Sequence, residues 1–145
     1  IWQEKRLSPK NYLSKSQYIR GLQCPKALWH YRHHFELMRK TPASLQRIFD
    51  QGHAVGELAR QRFPGGILIK ADYRHTTEAL EETAAALNSG ASILYEAAFL
   101  ADNTLVRTDI LVKQSPDSWN LYEVKSAAEV KDIYIQYIAV QKHVV

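Results

Sequence analysis

The chain has 145 residues, 46% of them hydrophobic and 23% charged, which fits one globular domain and excludes a disordered or membrane-embedded chain. A net charge of +4 and a pI near 9.2 suit a polyanionic partner such as DNA without requiring one. The single Cys24 excludes an internal disulfide and fits a reducing, cytoplasmic setting, while no apolar run reaches transmembrane length or reads as a signal peptide.

The first helical pattern, LSKSQYIRGLQCPKALWHYRHHFELMRK, falls into two pieces. Ser14 and Gln17 form a capping box at its start, and Pro25 opens the second piece, where its missing N–H costs little. Within WHYRHHF, His30 and His34 have the i, i+4 spacing that suits Zn²⁺, but no Glu lies between them and no third ligand suggests itself. Lys26, Trp29, Tyr31 and Arg32 interleave charge with aromatic rings, which suits a nucleic-acid strand. An amphipathic packing helix is the simpler reading.

A third helix spans about 42–62, capped by Thr41 or Ser44, with Gly52 and Gly56 one turn apart on a face that another element can approach closely. FPGG ends it and ILIK follows as a short strand. TTEALEETAAALNSG is the clearest helix: Thr76 or Thr77 caps it, Glu78, Glu81 and Glu82 favour its positive end, and Gly90 stops it. Three strands follow, SILYEAAFLA, TLVRTDILVK and WNLYEVKS, and a last helix covers VKDIYIQYIAVQKHVV. The second half therefore runs α-β-β-β-α, in a single α/β domain with a helical part at 1–70 and a core at 71–145.

Residues 107–127 pose the chemical question. With QSPDS as the turn, centred on Pro116, Asp109 faces Glu123 and Arg107 faces Lys125, all four on one side of a hairpin. Val106, Ile110, Val112, Tyr122 and Val124 then point into a core. Opposed like charges are destabilising, so something compensates for the two acids. One compensation is a ladder screened by Arg107 and Lys125, contributing about 0–1 kcal/mol per exposed pair. The other is a divalent cation between the carboxylates, with Lys125 holding a water or a phosphate oxygen. A one-residue slip would remove the opposition altogether.

An Asp on one strand, Glu-x-Lys on the next and a Gln-bearing helix together resemble the PD-(D/E)XK nuclease superfamily, and within it RecB-type domains and their CRISPR-associated relatives, including a bacterial group carrying such a domain. The phrases YIRGLQCPKALWHY, GHAVGELARQRFPGG, YEAAF, RTDILV, LYEVKSA and VKDIYIQYIAVQ carry the likeness. The resemblance implies a restriction-endonuclease-like core, α-β-β-β-α, here without its final strand, and a fragment of a longer protein. It implies Asp109 and Glu123 as ligands of Mg²⁺ or Mn²⁺, with the Val124 carbonyl completing the shell. It further implies Lys125 as the catalytic lysine, Gln141 as the residue that helps position the site or the DNA, and hydrolysis of DNA phosphodiesters, of exonuclease type.

Departures from the family pattern, and one further candidate for the site, qualify that expectation. The metal-binding His of RecB-type members falls on Gly56, so His53, one turn earlier, is the substitute; an ordinary helix histidine is the competing reading. Glu96 stands in an apolar strand where an unpaired carboxylate is costly, and is either a further metal ligand or the partner of Arg107 or another base. CPKALWHY resembles the Cys-Pro-basic segment of iron–sulfur nucleases, but a cubane cluster takes four Cys. Cys24 would be a cluster ligand only in a longer chain, and otherwise a small buried core residue. An exposed sheet edge would favour a homo-oligomer. The alternatives to a nuclease are a catalytically inactive DNA-binding domain of the same fold and a purely structural or interaction domain.

Overall fold

A computed structural model describes residues 11–37 and 43–145, which form a mixed α/β structure with two mixed sheets and, among the described residues, five α-helices. Strand β1 (Leu13–Ser14) leads directly into α1 (Lys15–Gln23). Ser14 accepts from the Gln17 N–H, and the Gln17 side chain accepts from the Ser14 N–H, so the expected capping box is complete. Pro25 is the first residue of α2 (Pro25–His33). A 3-10 turn at Phe35–Leu37 follows, and α3 runs over Ala43–Gln61. The expected cap Thr41 lies outside the described residues, and Ser44 falls inside the helix.

Strand β2 (Ile67–Leu68) and helix α4 (Thr76–Asn88) come next. His75, not Thr76 or Thr77, holds the cap position of α4, and no side chain caps it. Gly90 takes a φ of 83° just after the helix, where a side chain would be strained. The remaining elements are β3 (Ile93–Tyr95), β4 (Ala98–Ala101), β5 (Thr104–Arg107), β6 (Ile110–Ser115), β7 (Ser118–Tyr122) and α5 (Asp132–Val144). Among the described residues no helix is long and apolar enough to cross a membrane.

Two of the expected strands are each broken in the middle. SILYEAAFLA splits into β3 and β4, and TLVRTDILVK into β5 and β6, with the halves in different sheets: β1-β5-β4 and β2-β3-β6-β7. The two chain paths nevertheless stay in one antiparallel register across the break. Tyr95 pairs with Ile110, the Glu96 N–H donates to the Asp109 carbonyl, the Thr108 N–H donates to the Ala97 carbonyl, and Ala98 pairs with Arg107. The result is one long hairpin bent at 96–97 and 108–109. The bend is set by Glu96, a non-glycine residue with a φ of 57°.

Helix α4 secures the bend. Thr83, 2% exposed, donates to the Ala79 carbonyl at 2.8 Å and accepts the Ala98 N–H at 3.0 Å, so a backbone donor at the break is satisfied by a helix side chain. Around it Ile69, Ala79, Ala86, Leu94, Ala98 and Leu111 form the core, with Trp119 and Leu121 packed on its rim. Both faces of β6 are covered, since Ile110 and Leu111 are each 1% exposed. Of the five residues expected in the core, Val106 and Ile110 are buried, Val112 and Val124 are half-buried, and Tyr122 lies at the surface against the ring of Phe63. On the other side of the hairpin α5 packs along β5 and against α1. Strand β7 is the outer strand of its sheet among the described residues.

Candidate functional site

The β6–β7 ladder pairs Ile110 with Tyr122, Leu111 with Leu121 and Val112 with Asn120. One step beyond its end, the same register sets Asp109 opposite Glu123, as expected from the sequence. On the other flank Asp109 lies opposite Glu96 across the bend. Three acids from three neighbouring strand paths therefore stand in one row. Arg107 departs from expectation: it precedes the bend, pairs with Ala98 rather than Lys125, and its guanidinium donates to the Ala71 carbonyl at 2.6 Å. The four-charge ladder on a flat hairpin does not form.

Glu123 is the best-held group in the row. Lys15, from the first turn of α1, reaches both its carboxylate oxygens at 3.2 and 3.0 Å and also donates to the Arg107 carbonyl at 3.3 Å. Lys125 approaches Oε1 at 2.6 Å, and Gln141 Nε2 donates to Oε2 at 2.7 Å. The two ammonium groups share the ring of Tyr137 on α5, lying 5.4 and 4.9 Å from its centroid. Burial pushes the Glu123 carboxyl up, but Lys15, Lys125 and Gln141 outweigh it and leave the group below its ordinary range.

Asp109 shows the opposite balance. Burial and then the charge of Glu123 push its carboxyl up to about 6, against the pull of the Val124 N–H, which donates to Oδ2 at 2.6 Å, and of Lys15. For Lys125, burial pulls the ammonium down, but the hydrogen bond and charge of Glu123, with Asp109 and Tyr137 behind them, leave it above the usual lysine value. Glu96 is neither deeply buried nor paired with Arg107; it meets Arg60 of α3 at 3.1 Å, with 34% of its side chain exposed. Asp109, Glu123 and Glu96 are thus balanced by Lys15, Lys125 and Arg60.

The donor set fits a hard divalent ion. Two adjacent carboxylates supply oxygen ligands of the kind Mg²⁺ and Mn²⁺ take, together with waters and phosphate. The upward push on Asp109 comes partly from Glu123, and a cation would relieve it. Beside Glu123, Gln141 is fully buried and its Oε1 has no hydrogen-bond partner among the described residues, an arrangement that costs about 1–3 kcal/mol unless a donor or cation meets it. Among the described residues no group of three or more His, Cys, Asp and Glu side chains converges on one point. Solvent and substrate oxygens would have to complete the shell.

Of the other residues singled out, His53 is exposed on α3, and a Cβ added at Gly56 would meet open space. Cys24 is exposed between α1 and α2, contrary to its expected place in the core. His30 and His34 flank the ring of Trp29, itself 51% exposed, in a surface cluster. Sequence reasoning missed Lys15 and Tyr137. Nothing local marks the first residue of a helix as the partner of an acid 108 positions away. Tyr137 carried a signal, since it lies one helical turn before Gln141 and so shares its face. No protein-family model matches the chain, and no curated protein or solved structure is significantly similar to it.

Proposed function

We propose that this chain is a metal-dependent nuclease domain of the PD-(D/E)XK type, RecB-like, that hydrolyses phosphodiester bonds in DNA. The observation that carries the reading is the row at the bend: Asp109 against Glu123, with Lys125 and Gln141 both on the Glu123 carboxylate. The order α4, bent hairpin, β7, α5 supports the reading, since it follows the α-β-β-β-α order that the resemblance implies.

Asp109, Glu123 and the Val124 carbonyl would hold Mg²⁺ or Mn²⁺, with Glu96 or His53 as candidates to join them. Bound there, the ion supplies Lewis-acid polarisation of the phosphate and a more acidic water. Gln141 and Lys15 hold the Glu123 carboxylate in place by direct hydrogen bonds. Lys125 is kept charged by its acidic neighbours, which suits an ammonium that orients water or donates to a phosphate oxygen and argues against a neutral-lysine base. A role for Cys24 in an iron–sulfur cluster would need ligands from a longer chain.

A second reading is an inactive DNA-binding domain of the same fold. It is favoured by Lys15 and Lys125, which already neutralise Glu123, and by Gly56 at the position of the family's histidine. Labelled single- and double-stranded DNA incubated with EDTA, Mg²⁺ or Mn²⁺ separates the two. The nuclease reading expects metal-dependent cleavage that disappears in Lys125→Ala; binding without cleavage under every condition supports the second.

A further inference from the structure

A cleft of about 580 Å³ opens beside this site, on the α1 side of the bent hairpin. Its lining combines three cationic side chains, Lys15, Arg32 and Arg107, with the rings of Tyr31, Phe35 and Tyr73. Phe35 and Tyr73 are 62% and 71% exposed, an arrangement that leaves flat apolar surface facing water. Tyr31 and Phe35 meet edge to face at 5.5 Å, so one ring braces the other.

The charge of Arg107 points to an anion. Arg107 is half-buried, anchored by the Ala71 carbonyl, and among the described residues no carboxylate lies within ion-pair distance of it. Asp72 also lines the cleft, but its carboxylate already accepts from the Arg74 N–H and meets His75 at 2.8 Å. Flat rings beside cations suit a ligand with a planar, stackable group and negative charge, which is the chemistry of a nucleotide. Continuity with the acidic row fixes which nucleotide. Lys15 lines the cleft while its ammonium rests on Glu123, and Arg107 stands two residues before Asp109.

We infer that this cleft is a base-and-phosphate subsite that takes one unpaired nucleotide of a DNA strand, next to the phosphate presented to Asp109 and Glu123. Stacking within a duplex would hide the ring faces that the cleft engages, so the site selects single-stranded or frayed DNA over duplex. The inference names the substrate form for the nuclease reading and rests on it for the position of the neighbouring phosphate.

The test is equilibrium binding in EDTA, where metal-dependent cleavage cannot occur. Fluorescent oligo-dT, the same length of abasic strand, a blunt duplex and thymidine monophosphate are titrated with the wild type, Phe35→Ala, Tyr73→Ala and the double variant. Both rings are largely exposed, so their removal leaves the fold intact, which circular dichroism verifies. Loss of one stacking ring weakens oligo-dT binding by about tenfold and loss of both by about a hundredfold. Abasic strand and duplex bind wild type weakly, and the double variant no worse. Thymidine monophosphate competing at the same rings assigns the subsite to a single nucleotide; oligo-dT binding without that competition assigns it to a nucleotide within a strand.

Equal binding of abasic strand and oligo-dT, or unchanged oligo-dT affinity in the double variant, overturns the subsite even if the protein cleaves DNA with Mn²⁺. Ring-dependent binding by a protein that never cleaves preserves the subsite and removes the nuclease reading. No binding of any probe by wild type overturns the subsite.

Discussion

Lys15 and Glu123, 108 residues apart in sequence, meet with Nζ at 3.0 Å from Oε2 and 3.2 Å from Oε1. The Glu123 side chain is 4% exposed and that of Lys15 17%, so solvent screens the pair weakly. Without Lys15, Glu123 keeps Lys125 and Gln141 as its partners among the described residues. Lys15→Ala is expected to lose about 2 kcal/mol of stability, in the range for a hydrogen bond to a charged group. Lys15→Met, which keeps most of the stem, should lose nearly as much. Urea denaturation measures both; an unchanged midpoint in either would show that the pair contributes nothing net.

Asp109 makes stability depend on pH in a definite direction. Its native value of about 6 stands above the 3.8 of the unfolded chain, so the folded state holds the proton more tightly. The stabilisation is complete below about pH 4 and is lost as pH rises through about 6, a change of about 3 kcal/mol at about 1.4 kcal/mol per unit. Glu123, lowered from 4.5, acts in the opposite sense at lower pH, losing its contribution as pH falls through its native value. Asp109→Asn can still accept from the Val124 N–H and cannot ionise. Unfolding of wild type and variant from pH 4 to 7 should show wild type losing ground steadily to the variant, in metal-free buffer. Parallel curves would exclude the raised carboxyl.

Because three acids at the bend are already balanced by three cations, an added divalent ion is best tolerated together with an anion. Mn²⁺ should therefore stabilise wild type more in the presence of a non-cleavable phosphorothioate oligonucleotide than alone, and the oligonucleotide should bind more tightly with Mn²⁺ by the same factor. At a hundredfold excess over Kd the gain is about 2.7 kcal/mol. Asp109→Asn should abolish it. Glu96→Gln should retain most of it and change stability by less than about 1 kcal/mol, since the Arg60–Glu96 pair is partly exposed. Thermal melts across a metal titration decide between these outcomes; a loss in Glu96→Gln equal to that in Asp109→Asn would make Glu96 a ligand.

Two glycines should respond oppositely to alanine. A Cβ at Gly66 would collide with the Tyr95 ring and lie 2.7 Å from Ile93. The Tyr95 ring is tethered by its hydroxyl to the Phe63 carbonyl and the Gly66 N–H, so it cannot easily retreat. Gly66→Ala is expected to cost about 2 kcal/mol. At Gly21 the close neighbour is one methyl of Leu28, the movable end of a side chain, at 2.8 Å. The helix preference of alanine, about 1 kcal/mol over glycine, then brings Gly21→Ala close to neutral or better. Denaturant midpoints of the two variants give the comparison directly.

Local chemistry made much of this structure readable. Ser14 and Gln17 marked the start of α1, Pro25 the start of α2, and the alternation around QSPDS set the register that aligns Asp109 with Glu123. The bend escaped, because alternation of apolar and polar residues continues unchanged through YEAAF and RTDIL and reports faces, not direction. Its pivot is Glu96, a residue type with no particular preference for positive φ. That one omission misplaced Arg107, which would face Lys125 only on an unbent strand. Lys15 escaped because ion pairs over long separations follow from tertiary packing alone.

The pairing of Lys15 and Gln141 on one carboxylate also orders events in time. Strand β1 joins β5 at Leu13 and Thr104, and Glu123 acquires its full set of partners only when α1 and α5 have both come to rest against the hairpin. A chain emerging during synthesis can build α1 and α2 early from local contacts, but the acidic row stays incompletely neutralised until residue 141 has been made and docked. Such distant closures are slow steps in folding. Neutralisation of the acidic row is thereby tied to the docking of both helices, so a half-made chain carries the acids without their full set of partners.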